Sequence, residues 1–315
     1  MHLLVTGARG FVGRGLLPLL AARGHTGIAT GRQPPAATPP GWRAATRDDL
    51  LADRTAAGEI DAVIHLEVHQ HVPRPTPADL AEFRRVNVDG TRHWLDWAQR
   101  HGVRRFVFVS SIKAVGPSDE PHREDCPLPP DTPYGSSKAE AERLVREWAA
   151  ADPARMAVIL RPAPVYGPGN EANLAAFVRQ IRAGKPCLIG RGDTRKSIVS
   201  RTNLAAAIEF AATHAAPGSV TYNVSDRDAP TLAALAALIA DLAKAPPPRR
   251  IPGVVAAAFA PLGDLISGLT GRDFPLTSAR LKAIRETSIF PCDALIAAGF
   301  HHPQTTRDGL AEMIG

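Results

Sequence analysis

Short apolar runs, each closed by a glycine or a polar turn, recur through the first half of the chain. They alternate with longer stretches whose apolar positions repeat at helical spacing. Residues 2–5 form the first run, which breaks at Thr6-Gly7 and passes through Arg9-Gly10 to Gly13. There a helical pattern begins, with Phe11, Val12, Leu16, Leu17 and Leu20 as its apolar positions. Residues 24–30 read as a second strand ending at Gly31-Arg32, and the Pro-rich segment 33–41 (QPPAATPPG) must be a loop. A strand near 42–45 and a helix near 48–57 precede residues 61–66 (DAVIHL), an apolar run suited to a strand buried on both faces. After a loop at 73–77, residues 78–100 read as one long amphipathic helix. Residues 105–110 (RFVFVS) form another buried strand, 135–151 a helix and 156–160 a further strand. Strands alternating with helices predict an α/β fold built on a doubly wound parallel sheet.

Beyond Pro162 the texture changes. Loops lengthen, and strands such as 219–224 lie among Ala-rich helices at 232–244 and 252–269. The expected division is a sheet domain over 1–161, with segments near 190–225 returning to it, and a smaller mixed lobe over 162–315. Pro246–Pro248 is a stiff connector inside that lobe.

With 315 residues, 44% hydrophobic and 22% charged, the composition is that of a soluble globular chain able to bury a large core. The first strand begins at His2, which leaves no room for a leader segment. Cys126, Cys187 and Cys292 lie far apart with no metal-ligand spacing, so a reducing, cytoplasmic setting and no metal site are expected. The stretch 251–269 is the most apolar of the late chain, but Pro252, Pro261, Gly263 and Asp264 make it a poor bilayer span. It packs as a helix on the body, a place at a membrane surface being the lesser reading. A net charge of +6 favours anionic partners. Basic clusters interleaved with aromatics are missing, so a phosphorylated small molecule fits better than nucleic acid.

Three features carry candidate chemistry. Gly7-x-x-Gly10-x-x-Gly13 sits at a strand–helix junction, where glycines tolerate positive φ and let a pyrophosphate approach the backbone amides. Tyr134-Gly135-Ser136-Ser137-Lys138 puts a phenol and an ammonium four residues apart on one helix face, so that the cation lowers the phenol pKa toward neutrality. Ser110-Ser111 ends the RFVFVS strand, where ligands bind in open parallel sheets. Singly, each also has a plain reading as turn, helix start or cap.

In order, TGxxGFxG, DAVIHL, Asn87-Val88-Asp89-Gly90-Thr91, the strand-end serines and YxxxK resemble the extended short-chain dehydrogenase/reductases. The similar branch is that of NAD(P)-dependent nucleotide-sugar epimerases, dehydratases and 4-ketoreductases. The resemblance implies a Rossmann-type sheet with a C-terminal substrate lobe and a homodimer formed through helices near 79–100 and 135–151. It makes Ser111, Tyr134 and Lys138 the catalytic set, Ser111 being preferred to Ser110 by position. It assigns Gly7, Arg9, Gly10, Phe11, Val12, Gly13, Arg32, Leu66 and Asn87, with Tyr134 and Lys138, to the cofactor. Residues 161–169 (RPAPVYGPG) lead into the substrate lobe, where Asn173, Leu174, Lys196 and either Arg280 or Arg285 match diphosphate-binding positions; Ser111 also faces the substrate.

Departures from the pattern refine this. The second strand ends in Gly31-Arg32 instead of a carboxylate, which favours NADP over NAD. Glu67 replaces a small residue beside the cofactor; it turns away, pairs with Arg9 or Arg32, or obstructs binding. Ile112-Lys113 stands where sugar dehydratases carry an acidic pair, and this argues against 4,6-dehydration. Thr202 replaces an acidic residue of relatives and leaves the substrate open. The implied activity is hydride transfer at C4 of a UDP-hexose or UDP-N-acetylhexosamine, as 4-epimerase or 4-ketoreductase. An NADP-dependent reductase of a non-nucleotide carbonyl compound and a non-catalytic NADP-binding sensor or scaffold are the other readings.

Overall fold

Apolar side chains on successive residues of one strand enter two different cores. Leu3 and Val5 pack on one face of the sheet and Leu4 on the other; Ile64 opposes Val63, and Val107 opposes Phe106 and Phe108. Both faces are covered, which is why these strands read as unbroken apolar runs. The computed structural model describes residues 1–315 except 73, 119, 127, 128, 171, 172 and 271–276, and except the side chains of 173, 269, 270, 279, 280 and 283.

The chain begins β1 (His2–Thr6), α1 (Phe11–Ala22), β2 (Thr26–Gly31), β3 (Trp42–Thr46), α2 (Arg47–Leu51) and β4 (Ala62–His65). Next come α3 (Pro77–Glu82), a π-helical segment (Phe83–Asp89) and α4 (Gly90–Arg100). They are followed by β5 (Arg105–Val109), a 3-10 turn (Ile112–Ala114), α5 (Pro133–Ala150), β6 (Met156–Pro162) and β7 (Val165–Tyr166). Then follow α6 (Asn173–Arg182), β8 (Pro186–Ile189), β9 (Val199–Ser200), α7 (Arg201–Thr213), β10 (Gly218–Val224) and α8 (Leu232–Leu242). The C-terminal part comprises β11 (Arg249–Ile251), α9 (Gly253–Thr270), α10 (Ser278–Arg285), α11 (Asp293–Ala297) and α12 (Thr306–Ile314).

Seven strands form one parallel sheet in the order β10-β6-β5-β4-β1-β2-β3. Strand order reverses between β1 and β4, the switch point where ligands of doubly wound sheets bind. Leu16, Leu17 and Leu20 of α1 and Leu204 and Ile208 of α7 cover one face. Leu50 of α2, Trp94 and Trp97 of α4 and Leu144, Val145 and Trp148 of α5 cover the other. A third core joins α6, β8, α8 and α12 through Val178, Ile181, Leu188, Leu235, Ile239 and Leu310.

Two elements differ from expectation. The helix expected over 48–57 is the short α2, closed by Asp53 in the left-handed region (φ 54°). The long helix expected over 78–100 contains the π-helical segment, a one-residue insertion that periodicity does not record and that often marks a functional site.

Candidate active site

The turn after β1 is built so that its backbone lies bare. Gly7 sits at φ +64°, and a Cβ there would lie 2.8 Å from the Leu66 and Glu67 backbones beyond β4. A Cβ on Gly13 would meet the Ala8 carbonyl oxygen at 2.5 Å, so that glycine sets how closely α1 approaches the β1 turn. Gly10 caps α1 without a side chain, leaving Phe11 and Val12 to open the helix and its first amides for an anion. The cavity above, about 300 Å³, is lined by Gly7, Arg9, Gly10, Arg32, Leu66 and Glu67 among others. Arg9 donates to Gln33 Oε1 at 2.6 Å, and Arg32 is exposed at the rim. Positive φ, missing Cβ atoms, two guanidinium groups and a helix N-terminus fit the pyrophosphate and adenosine of a dinucleotide.

Glu67 stands apart from both arginines of this cavity. Its carboxylate pairs with Arg47 Nη1 at 3.0 Å and accepts from Trp94 Nε1 at 3.3 Å, so it is held by α2 and α4. Of the three possibilities left by the sequence, the pairing one is met by a different arginine.

Behind the cradle, a polar chain fixes the end of β4. Thr6 Oγ1 accepts from the Leu66 N–H and is 2.7 Å from His65 Nδ1; His65 Nε2 is 3.2 Å from Thr91 Oγ1, which donates to Asn87 O. With the Thr91 proton committed to Asn87 O, His65 must donate from Nε2 and accept at Nδ1. Burial, with Lys138 adding to it, pushes the imidazole down to about 3, and His65 is a neutral strut. Asn87 is equally committed. Its Oδ1 accepts from the His69 N–H (2.8 Å), and its Nδ2 donates to His69 O (3.1 Å) and Ser137 Oγ (2.9 Å). It joins the π-helical segment to the loop after β4 and to α5, and its amide protons are spent on that brace.

Ser111 and Tyr134 meet where the loop after β5 touches the start of α5. Thr132 caps α5 by accepting from the Gly135 N–H. Gly135 is required because a Cβ there would lie 2.2 Å from Lys113 O. The Tyr134 ring packs edge-on against His71 and Phe83, and its hydroxyl is turned toward Ser111. Contrary to the lowering expected from Lys138, burial pushes the phenol up, with the nearby Ser111 hydroxyl opposing. Lys138 is buried one turn along, donating from Nζ to Val109 O at 2.9 Å and lying 4.2 Å from the Phe108 ring centroid. Burial pushes its ammonium down to about 7, with Glu142 opposing.

That shift carries a sign for stability. Between about pH 7 and its ordinary value of 10.5, Lys138 is protonated in the unfolded chain but largely neutral in the fold. The unfolded state then binds the extra proton, so Lys138 makes the cofactor-free protein more stable as pH rises through that window, by up to about 1.4 kcal/mol per pH unit. Urea unfolding across this range should give a steeper rise for wild type than for Lys138→Met. Equal slopes would refute the assignment.

Sequence reasoning missed the group beneath this site. Glu142, one turn beyond Lys138, accepts from Ser110 Oγ (2.7 Å), Arg161 Nε (2.9 Å) and Nη2 (2.7 Å), and Arg146 Nη2 (2.7 Å). These donors hold its carboxyl low despite burial. Ser110 is therefore a tether, and Ser111 is the serine left facing Tyr134. The available signal was Glu142 lying four residues after Lys138 on a face expected to be covered.

The expected diphosphate residues are more dispersed. Lys196 is half-buried, donates to Glu286 O and lies in the field of Lys113; burial lowers its pKa. Arg285 donates to Gly253 O at 3.1 Å. Leu174 packs toward the third core, leaving its backbone in the first turn of α6. The side chains of Asn173 and Arg280 lie outside the described ones. Among the described residues no cluster suited to a metal ion occurs, and no helix is long and apolar enough to cross a membrane.

Known proteins resemble this chain in sequence and fold. The chain is 30% identical over 314 residues to the N-acetyl-α-D-glucosaminyl-diphospho-ditrans,octacis-undecaprenol 4-epimerase of Escherichia coli O157:H7, covering 98% of this chain and 93% of that protein. It is 31% identical over 243 residues to the UDP-glucose 4-epimerase of Vibrio cholerae, covering 71% and 70%. MoeE5, solved in complex with UDP-glucose and NAD, superposes with a TM-score of 0.76 at 26% identity over 100% of this chain and 97% of that one. The sequence model of the NAD dependent epimerase/dehydratase family matches residues 3–225. Glycine cradle, switch point and serine–tyrosine–lysine set all fall within that match, and the chain belongs to the NAD dependent epimerase/dehydratase family.

Proposed function

We propose that this chain is an NAD(P)-dependent 4-epimerase of a sugar carried on a diphosphate. The observation that carries the reading is the placing of Ser111 beside Tyr134, with Lys138 one turn along α5, at the carboxyl end of β5, in the same sheet as the glycine cradle. Bound NAD(P) supplies a nicotinamide that accepts hydride from the sugar and returns it. Gly7, Gly10, Gly13 and the first turn of α1 would hold its pyrophosphate, Leu66 would line its path, and Lys138 would reach its ribose. Tyr134 takes the proton of the C4 hydroxyl and later gives it back, and Ser111 fixes the position of that oxygen. Asn87, His65 and Glu142 act by positioning. The first turn of α6, with Asn173 and Leu174, and Lys196 with Arg280 or Arg285 are our candidates for the diphosphate.

The two named relatives differ in what carries their sugar, a nucleotide in one and a polyprenol in the other. A UDP-hexose or UDP-N-acetylhexosamine is the first reading. A lipid carrier is the second, favoured by the exposed apolar side of α9. Incubation of the purified chain with UDP-glucose and UDP-N-acetylglucosamine, read by proton NMR of the C4 position, should give the C4 epimer without added reductant. No epimer from either sugar, together with reduction of a UDP-4-keto-sugar at the stoichiometric expense of NADPH, would replace epimerase by 4-ketoreductase.

For the cofactor we infer a preference for NADP. Arg32 and Arg9 flank the cavity, and its one carboxylate, Glu67, is paired with Arg47. A 2′-phosphate would meet cations there. Calorimetric titration should show tighter binding of NADP than NAD, with Arg32→Glu reversing the order; tighter NAD binding by wild type would overturn it. The reading also includes a cytoplasmic homodimer, supported by three free cysteines and by resemblance; gel filtration with light scattering tests its size.

A further inference from the structure

Helix α9 is divided lengthwise in the sense opposite to a surface helix. Small residues face inward: Ala256, Ala260, Gly263 and Ser267 are buried, the two alanines in a cluster with Leu281 of α10. Large apolar residues face out. Val254 is 79% exposed, Phe259 56%, Leu262 50% and Leu265 57%. At 100° per residue these four fall within about 140° of arc, a continuous apolar face. The one charged residue of the helix, Asp264, lies outside that arc. An exposed apolar face of this extent marks an interaction surface.

Charge selects what covers it. Between 249 and 285 the sequence holds Arg249, Arg250, Arg272, Arg280, Lys282 and Arg285 against Asp264 and Asp273. Arg249, Arg250, Lys282 and Arg285 are exposed, and the Arg285 guanidinium sits at the N-terminal end of α9 through its bond to Gly253 O. Glu286 offsets part of this through Lys282 at 3.7 Å. A second copy of the chain would bring the same cations face to face about a two-fold axis. An apolar helix face within a predominantly cationic stretch of chain instead suits the interface of an anionic bilayer.

We propose that α9 is a membrane-docking helix that lies in the plane of an anionic phospholipid surface, its Val254, Phe259, Leu262 and Leu265 side chains among the acyl chains and the neighbouring cations at the headgroups. A cavity of about 570 Å³ between α9 and α10 is lined by Ala257, Ala260, Leu281, Lys282 and Arg285, and reaches Glu286, whose carbonyl holds Lys196. That cavity lies on the side of α9 turned away from the four exposed residues, so the docking does not depend on the substrate reading above.

Co-sedimentation of the full chain with vesicles tests it. Wild type should pellet with phosphatidylcholine–phosphatidylglycerol vesicles and remain in solution with phosphatidylcholine alone. The triple variant Phe259→Ser, Leu262→Ser, Leu265→Ser should bind about tenfold more weakly. The charge variant Arg249→Gln, Arg250→Gln should also lose binding, and it leaves the apolar face unchanged should the triple variant fold poorly. Turnover of a soluble UDP-sugar should be the same in all three proteins. Wild type that ignores anionic vesicles, or variants that bind them equally well, would overturn the proposal. So would a triple variant that dissociates a solution dimer, since the face would then join two copies. Wild type that binds anionic vesicles but turns over no UDP-sugar would count against the UDP-sugar reading and leave the docking standing.

Discussion

Tyr134→Phe should lower kcat by about 10³-fold with little change in KM or in fold, because it removes one ionisable oxygen and keeps the ring. The ring's edge-on contacts with Phe83 and His71, with centroids at 5.9 and 5.8 Å, do not need the hydroxyl. The C4 oxygen loses the group that exchanges its proton. Turnover measured alongside a thermal melt is the check. A variant within tenfold of wild type would mean that another group moves the proton. Because burial raises the phenol's pKa in the cofactor-free chain, wild-type Tyr134 begins protonated at neutral pH and must ionise before it can take the C4 proton; nearby Ser111 favours that ionisation.

The largest effect on stability is expected at Glu142. Glu142→Ala strips Arg161 of two hydrogen bonds while leaving its guanidinium buried, and strips Ser110 and Arg146 of one each. Removing one partner of a buried pair costs about 3–5 kcal/mol, a large part of the about 5–15 kcal/mol that holds a domain folded. Urea unfolding should show this loss. The double variant Glu142→Leu, Arg161→Met should recover part of it, since no buried charge is then left alone. A cost below about 1 kcal/mol for the single change would show that water reaches Arg161. Glu142 also supports the charge on Lys138, so the single variant should lose activity under conditions where it is still folded.

Much of this architecture was legible because its signals are local. Alternating burial on β1, β4, β5 and β6 leaves apolar runs in the sequence, and the Gly7, Gly10 and Gly13 turn is written in three residues. Tyr134 and Lys138 share a helix face by spacing alone. What stayed hidden depends on residues distant in sequence. Glu67 meets Arg47, twenty positions earlier, and Glu142 meets Arg161 across the packing of α5 on β6. The π-helical segment escapes any 3.6-residue period, although it is what brings Asn87 to His69 and Ser137. The direction of the Tyr134 shift was misjudged because spacing reports a neighbouring charge but not the depth of burial.

Ser111, Tyr134 and Lys138, with their braces Asn87, Glu142 and Arg161, all lie between residues 87 and 161 and are tied to one another or to the sheet. Lys196, Arg285 and the first turn of α6 lie beyond that block, on elements of the C-terminal half. The groups we propose to move the proton and those we propose to hold the carrier are thus separate heritable units. Substitutions in the second can exchange one carrier for another over generations without passing through a variant that has lost the chemistry of the first.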